Sequence, residues 1–189
     1  MRFGMCGMLA GRKDPFALLE AWRELKRERP EFDAILELKT ACPGLHPGLV
    51  QVYPDVVLYD RVWPQTMLRD WYTTIDVMVS TSRGEGNNKP AIEFMSTGGL
   101  VMASDWSGHQ NWLHPDATIP IPGQLVTWTD GVRADFRVDI PTLKEQLYWC
   151  WQHPDQVRRK GRVAAGLIRS SLSWPQVCER LTRRLAALL

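Results

Sequence analysis

An α/β fold on a parallel sheet, with helices covering both of its faces, follows from two features of the sequence. Short apolar runs alternate with segments of helical periodicity almost from the first residue. At least one of those runs, DVMVS at 76–80, is apolar enough to be buried on both sides, as parallel strands are. Alternation of this kind implies parallel pairing through right-handed crossovers. In such a sheet ligands bind beyond the C-terminal strand ends, so the loops after Gly7, Tyr59 and Ser80 are the places to look for chemistry.

The elements read in order. Residues 2–7 form the first strand, and residues 8–13 a glycine-bearing loop. Asp14-Pro15 opens a helix, Asp as cap and Pro at the first helical position, with Leu18, Leu19, Trp22 and Leu25 on one face. The basic stretch 26–29 suits a helix C-terminus, and Pro30 stops it. Strands are expected at 34–38 and 55–59, a helix at 65–74 carrying Met67, Leu68, Trp71 and Tyr72, and the buried strand at 76–80. Pro90 begins a short helix with Ile92 and Met95 inward, closed by Gly98-Gly99. A strand at 100–103, a short helix at 108–113 and an extended segment at 118–129 come next. Helices at 141–152, 154–170 and 174–188 finish the chain.

Composition narrows the function classes. The chain has 189 residues, 44% hydrophobic and 23% charged, which suits a single globular domain over residues 1–189. The formal net charge of +2, without a long Lys/Arg tract, gives no nucleic-acid footprint. No apolar run approaches the ~20 residues of a membrane-spanning helix, and the first residues lack a secretory pattern, so a cytoplasmic location is expected. Cys6, Cys42, Cys150 and Cys178 are scattered, without metal-binding spacing, and read as reduced core thiols. His46, His109, His114 and His153 are equally dispersed, so no metal is expected. The nine tryptophans read as core or rim packing.

The segment richest in chemistry is SRGEGNNKPAIE, residues 82–93, a strand-to-helix loop with two glycines and two carboxylates, Glu85 and Glu93. A helix N-terminus there suits an anion such as phosphate. Glu93, expected in the first turn, would lean toward the crevice and accept hydrogen bonds from a vicinal diol such as a ribose. Glu85 would touch whatever hangs from the phosphate. The same two residues also fit a carboxylate complementing a helix dipole and a turn carboxylate in solvent. Arg12-Lys13, after the first strand, would neutralise a diphosphate or be a solvated basic pair. Gly4, Gly7 and Gly11 match neither the dinucleotide nor the P-loop pattern. Lys39-Thr40 and Tyr59-Asp60-Arg61 lie past the second and third strands, where structural roles are the commoner ones.

The pair Glu85…Glu93, E-x7-E in EGNNKPAIE, resembles the donor-binding signature of retaining GT-B glycosyltransferases of family GT4. The similarity extends to GMLAGRKDPFALLEAW, DRVWPQTMLRDWYTTIDVMVSTSRGEG, EFMSTGGLVMASDWSGHQNWL and SLSWPQVCERLTRRL. It implies a Rossmann-like three-layer sandwich, the C-terminal half of a GT-B enzyme, whose N-terminal acceptor half is absent from this sequence. It further implies a nucleotide-sugar donor, retention of configuration and no metal. By the same resemblance Lys13 and Arg12 would bind the diphosphate and Glu93 the ribose. Glu85 would contact the sugar, with Gly86, Asn87, Asn88 and Lys89 lining sugar and phosphate. The stretch from Tyr59 through Arg61 would border the base. Where the family often carries Arg after the glycine of the first strand, this chain has Met8. The last helix, with Val177, Leu181, Leu185 and Leu188 on one stripe, is expected to pack on an N-terminal half, on a second copy or on the domain's own flank. A nucleotide-binding or scaffold domain that has lost catalysis is the rival expectation.

Overall fold

The computed structural model describes residues 1–8, 11–41, 55–127 and 134–188. Six strands, β1 (Arg2–Cys6), β2 (Ile35–Lys39), β3 (Val56–Tyr59), β4 (Val77–Ser80), β5 (Leu100–Ser104) and β6 (Thr118–Ile121), form one sheet. Their order is β3-β2-β1-β4-β5-β6, and every neighbouring pair runs parallel. A separate antiparallel ribbon joins β7 (Gly123–Thr127) to β8 (Ala134–Val138). The helices are α1 (Pro15–Glu28), α2 (Gln65–Tyr72), α3 (Lys89–Ser96), α4 (Ile140–Gln152), α5 (Pro154–Leu167) and α6 (Trp174–Ala186).

The sheet is apolar on both faces because each face carries its own core. Phe3, Met5, Leu36 and Leu38 point to the side covered by α1 and α4, where Leu18, Trp22, Leu143 and Leu147 meet them. Met78, Val101 and Ala103 point to the other side, against Trp71, Phe94, Met95 and Ala164 of α2, α3 and α5. Trp22, Phe3 and Phe32 pack edge-on at 5.1–6.1 Å between ring centres, and the indole N–H of Trp22 donates to Asp55 at 2.7 Å. Lys144 of α4 ties that helix to α1 through Glu24 and Glu28 at 3.0 and 2.8 Å.

The order of the strands decides where a ligand can enter. From β1 the chain winds outward through β2 to β3, then returns and winds the other way through β4, β5 and β6. The reversal lies between β1 and β4, so the loops leaving those two strands diverge and open a crevice at their C-terminal ends. The loop after Tyr59 belongs to the edge strand β3, two strands from that point.

Several local expectations are corrected. Asp14 sits at the N-cap of α1 in a left-handed conformation (φ 45°) without capping, because its carboxylate accepts from Arg83 instead. Residues 107–111 form a 3₁₀ turn, and helix α5 yields to a π turn at Ile168–Leu172. The extended segment beyond 118 divides between β6 of the main sheet and β7 of the ribbon, its last two residues lying outside the described ones. Among the cysteines, Cys150 is buried, its thiol pushed up to about 12 by that burial, while Cys178 is exposed on α6. Cys42 and His46 lie outside the described residues. Helix α6 buries none of its residues, and Trp174 is 80% exposed rather than packed.

The α3–α5 packing gives a contrast between two glycines of one helix. A methyl on Gly161 would stand 2.0 Å from the carbonyl oxygen of Gly98, whereas one on Gly166 would meet open space. Gly161→Ala is therefore expected to destabilise by about 1–3 kcal/mol through overpacking. Gly166→Ala should stabilise by about 0.5–1 kcal/mol through lost unfolded-state entropy. Urea denaturation of the two variants reads the opposite signs.

Candidate functional site

The crevice between β1 and β4 is lined by side chains that fold back over the strand ends. Gly7, at φ 145°, lets the stem of Lys13 lie across it: a methyl there would meet Lys13 Cε at 2.9 Å. The Lys13 side chain is only 10% exposed, and its ammonium reaches Glu85 at 2.6 Å and the amide oxygen of Asn88 at 3.1 Å. Arg12, exposed, joins the same carboxylate at 2.5 Å and donates to the carbonyl of Gly84. The loops after Gly7 and Ser80 thus meet, as the strand order requires, and bring Arg12, Lys13, Glu85 and Asn88 together.

Glu85 is held from all sides. Its Oε1 accepts from the Ser82 hydroxyl at 2.8 Å. Its backbone is gripped by Ser107, whose hydroxyl donates to the Glu85 carbonyl and lies 3.3 Å from its N–H, and by the N–H of Gly108 at 3.0 Å. A methyl on Gly108 would stand 2.0 Å from the Gly86 carbonyl, so only glycine allows this approach. Burial alone would raise the Glu85 carboxyl, but hydrogen bonds from Lys13 and Arg12, and their charge, outweigh it and hold it below the usual carboxylate range.

Asn88 is the centre of a buried network. It occupies the N-cap of α3 in the left-handed region (φ 55°), which Asn tolerates better than most residues. Since its oxygen accepts from Lys13, its NH₂ must donate, and it does so to Ser80 Oγ and to His109 Nε2, each at 2.9 Å. His109 Nε2 is therefore an acceptor, and its Nδ1–H donates to the Ser104 carbonyl at 2.9 Å. Burial pushes this imidazole below the ordinary histidine range, against the opposing pull of its bond to Ser104, which keeps it neutral and fixes the tautomer. His109 is fully buried and read from the sequence only as one of several scattered histidines. A lone histidine after a strand carries no spacing signal, so its role emerges only from the packing. Trp112 completes the support by donating its indole N–H to the Asn87 carbonyl at 3.0 Å.

Glu93 falls in the second turn of α3, not its first, and is exposed. It accepts from the Tyr72 hydroxyl at 3.2 Å and lines a hollow with Gln65, Arg69 and Tyr72, apart from the one lined by Arg12 and Glu85. Cys6 connects the two regions. Its thiol lies 3.9 Å from the Tyr72 hydroxyl and feels Lys39, Lys13 and Glu93, while burial raises it and keeps it neutral. The tip of α3 offers fewer donors than expected: Pro90 has no N–H, and the Ala91 N–H is spent on the Asn88 carbonyl. An anion would meet the helix dipole and the loop amides ahead of it.

The remaining sequence candidates are peripheral. Lys39 donates to the carbonyls of Thr40 and Arg61, both at 2.7 Å, and stands over the Trp63 ring. Tyr59 packs on Trp63 at 4.9 Å and lies against Glu37, and Arg61 is exposed. Lys89 is exposed and opens α3 beside Asn88. Among the described residues, no group of three or more His, Cys, Asp and Glu side chains is arranged to hold a metal ion.

Comparison with known proteins agrees with this frame. The family model described as "Glycosyl transferases group 1" matches residues 1–132. The D-inositol 3-phosphate glycosyltransferase of Thermomonospora curvata is 28% identical over 129 residues, 67% of this chain and 26% of that protein. The chain thus spans about a quarter of the curated relative it matches. Among solved structures, sucrose-phosphate synthase from Thermosynechococcus elongatus superposes with a TM-score of 0.76 at 20% identity, over 100% of this chain and 46% of that one. Anabaena HepE in complex with UDP-glucose gives 0.74 at 12% identity, over 98% and 48%. The C-terminal domain of a glycosyl transferase group 1 family protein (LpcC) from Francisella tularensis gives 0.70 at 13% identity, over 92% and 86%. These solved structures share the fold of this chain.

The neutral state of His109 has a consequence for stability. A histidine whose folded pKa lies below its unfolded value of about 6.5 binds its proton more readily in the unfolded chain. Its contribution is present above that value and is lost as pH falls below it. Melting temperatures measured at pH 7.5, 6.5 and 5.5 should decline across the lower step, and His109→Phe should flatten that decline while lowering stability throughout. An unchanged slope in the variant would refute the assignment.

Proposed function

This chain belongs to the glycosyl transferases group 1 family, and from that premise we propose that it is the nucleotide-sugar-binding half of a GT-B, GT4-type hexosyltransferase. In this reading it binds an NDP-sugar, acts by retention without a metal, and needs an N-terminal acceptor half for transfer. The observation that carries it is the convergence of Lys13, Arg12 and Glu85 within 2.6 Å at the strand-order reversal. The UDP-glucose held by the structurally similar Anabaena HepE supports a sugar nucleotide as the ligand class. No described helix is long and apolar enough to cross a membrane, and we propose a cytoplasmic location.

The chemistry assigns each group a task. Breaking the sugar–phosphate bond builds negative charge on the departing diphosphate and positive charge on the sugar. Lys13, pre-positioned by Asn88 and His109, stabilises the first without reorganising at the moment of reaction, and Arg12, exposed and able to swing, adds its charge once released from Glu85. Both cations are engaged by Glu85 in the free protein, so the diphosphate enters by competing with that carboxylate. Glu85, relieved of its partners, then accepts hydroxyls of the donor sugar. Glu93, one turn into α3, takes the ribose hydroxyls, with the loop 59–62 bordering the base. The loop 86–89 lines sugar and phosphate.

One observation favours a second reading, a nucleotide-binding or scaffold domain without catalysis. Met8, 60% exposed, puts no charge where the family often carries Arg. Under both readings a nucleoside diphosphate stabilises the fold, and glycosyl transfer by the chain completed with an acceptor half separates them. At 100 times its dissociation constant a ligand adds about 2.7 kcal/mol, a rise of about 5–11 °C for a chain of this size. Thermal melts with UDP, GDP and ADP and their sugars should show that rise for one base, and Lys13→Ala or Glu93→Ala should shrink it. No shift with any of them would remove the donor reading.

The apolar stripe of α6 sets an independent expectation. Trp174, Val177, Leu181, Leu185 and Leu188 are exposed along one face. We propose that an N-terminal half or a second copy covers them. Light scattering of the chain alone should report association weakened by Leu181→Glu with Leu185→Glu. A monomer insensitive to these changes leaves the acceptor half as the remaining partner.

A further inference from the structure

The antiparallel ribbon β7–β8 stands outside the main sheet, and of its two strands only β7 falls within a segment expected to be extended, β8 having no counterpart among the expected elements. It buries little: every residue of β7 is exposed, and Phe136 and Val138 carry its core contact. Three of its attachments land on loops at the C-terminal edge of the main sheet. Phe136 stacks on Trp106 at 6.0 Å with the rings 3° from parallel. The Phe136 N–H points to the Arg83 carbonyl at 3.4 Å. Arg137 and Asp135 close an ion network with Arg83 and Asp14, in which Arg83 Nε meets Asp14 at 2.8 Å and Nη1 meets Asp135 at 3.3 Å. The ribbon is thereby tied to the site as well as to the core beneath the sheet.

What this creates is an open hollow of about 450 Å³ whose walls include Arg12, Arg83, Glu85, Trp106, Ser107 and Asp135. Its volume lies in the ~300–1,000 Å³ range of small-molecule sites. Two cations and two carboxylates line it and cancel, so an anion gains no net attraction there. The hollow combines charged donors and acceptors, a serine hydroxyl and an indole, which suits a neutral ring bearing many hydroxyls and an apolar C–H face. Asp135 keeps acceptor capacity, since Arg83, which donates to it at 3.3 Å, and Arg137, at 3.6 Å, both meet its Oδ2. Through Arg12 and Glu85 the hollow adjoins the diphosphate site.

We propose that the ribbon builds a subsite for the hexosyl ring of the donor, with Asp135 and Trp106 as its specificity-determining residues. This rests on the donor reading and extends it to residues outside the E-x7-E segment. Trp106 packs on an apolar face of the sugar, and Asp135 and Arg83 bond its hydroxyls. The ribbon therefore reads the sugar, while Lys13 and Arg12 read the phosphates.

Calorimetric titration of the purified chain with UDP, GDP and ADP, and with UDP-glucose, GDP-mannose and ADP-glucose, tests it. The quantity read is the preference for a sugar nucleotide over the matching diphosphate. Asp135→Asn should reduce that preference about tenfold, the effect of one weakened hydrogen bond to a charged group, and Trp106→Ala about tenfold through the apolar contact it removes. Affinity for the bare diphosphate should stay within about twofold, as both side chains lie off the phosphate site. Trp106→Phe, which keeps an aromatic face, should retain the preference, and melting temperatures show that each variant is folded. Unchanged preference in the folded variants overturns the subsite and leaves the donor reading standing. Loss of diphosphate binding in a folded variant overturns it too, because the ribbon would then act on the phosphates. Wild-type protein that binds none of the six compounds overturns the donor reading, and the subsite with it.

Discussion

A buried ammonium must have a partner, and the pairing of Lys13 with Glu85 is the constraint around which the crevice is organised. The two residues come from loops far apart in sequence, and they meet only because β1 and β4 are neighbours across the reversal of strand order. Removing one member would strand the other charge, at a cost of about 3–5 kcal/mol for a buried pair. Everything close by serves the pair's geometry. Gly7 leaves room for the lysine stem, Ser82 bonds the carboxylate, and Ser107 with Gly108 fixes its backbone. Asn88 holds the ammonium from the other side and is itself held by a histidine that must stay neutral to accept its N–H.

The same pair explains how a site full of charge remains folded without its ligand. Lys13 and Arg12 attract anions, and an empty site would leave them mutually repelling; Glu85 satisfies both. The arrangement is asymmetric. Lys13 is buried and anchored, whereas Arg12 is exposed and attached by its tip, so under the proposed donor reading an arriving diphosphate displaces the arginine more easily. Cys6, a thiol at the end of β1, is kept protonated by burial and so does not cancel the local positive charge. Glu93 is engaged instead by the Tyr72 hydroxyl, which also lies 3.9 Å from the Cys6 thiol.

Much of this frame was legible in the sequence, because it rests on periodicity and on the chemistry of element ends. The strands at 76–80 and 100–103 and the helix opened by Pro15 show in their apolar spacing and their punctuation. So do the two loops that carry Arg12, Lys13 and Glu85. Strand order is a different matter, since parallel strands of similar composition can be arranged in many sequences of neighbours. For that reason the loop after Tyr59 ranks with the other two in the sequence, yet lies at the sheet edge in the structure. The ribbon was legible only in part: its first strand lies within the segment expected to be extended over 118–129, but, exposed along its whole length, it lacks the alternation that marks a half-buried strand and gives no sign of its pairing with β8. Asp14 misled because its type fits a cap, while the fold offers it Arg83, a stronger partner than a backbone amide.

The charges of the crevice are divided in a way that matches the two ends of a sugar diphosphate. On the β1 side Lys13 adds a cation to the Arg12–Glu85 pair that the two sides share, leaving an excess of positive charge toward the tip of α3. On the ribbon side Arg12 and Arg83 are balanced by Glu85 and Asp135, leaving polarity without net charge. A ligand with a doubly anionic centre and a neutral, hydroxylated end experiences a gradient across this short distance, and only one orientation places each end in its matching half. Reversed, the phosphates would face Asp135 and the sugar would leave Lys13 without the anion it exchanges for Glu85. Like-charge contact with a partly buried carboxylate is penalised more heavily than a missed hydroxyl contact. In the proposed donor complex, orientation is therefore set by electrostatics before any hydroxyl is recognised, and Arg12, common to both halves, is the residue through which the two are joined.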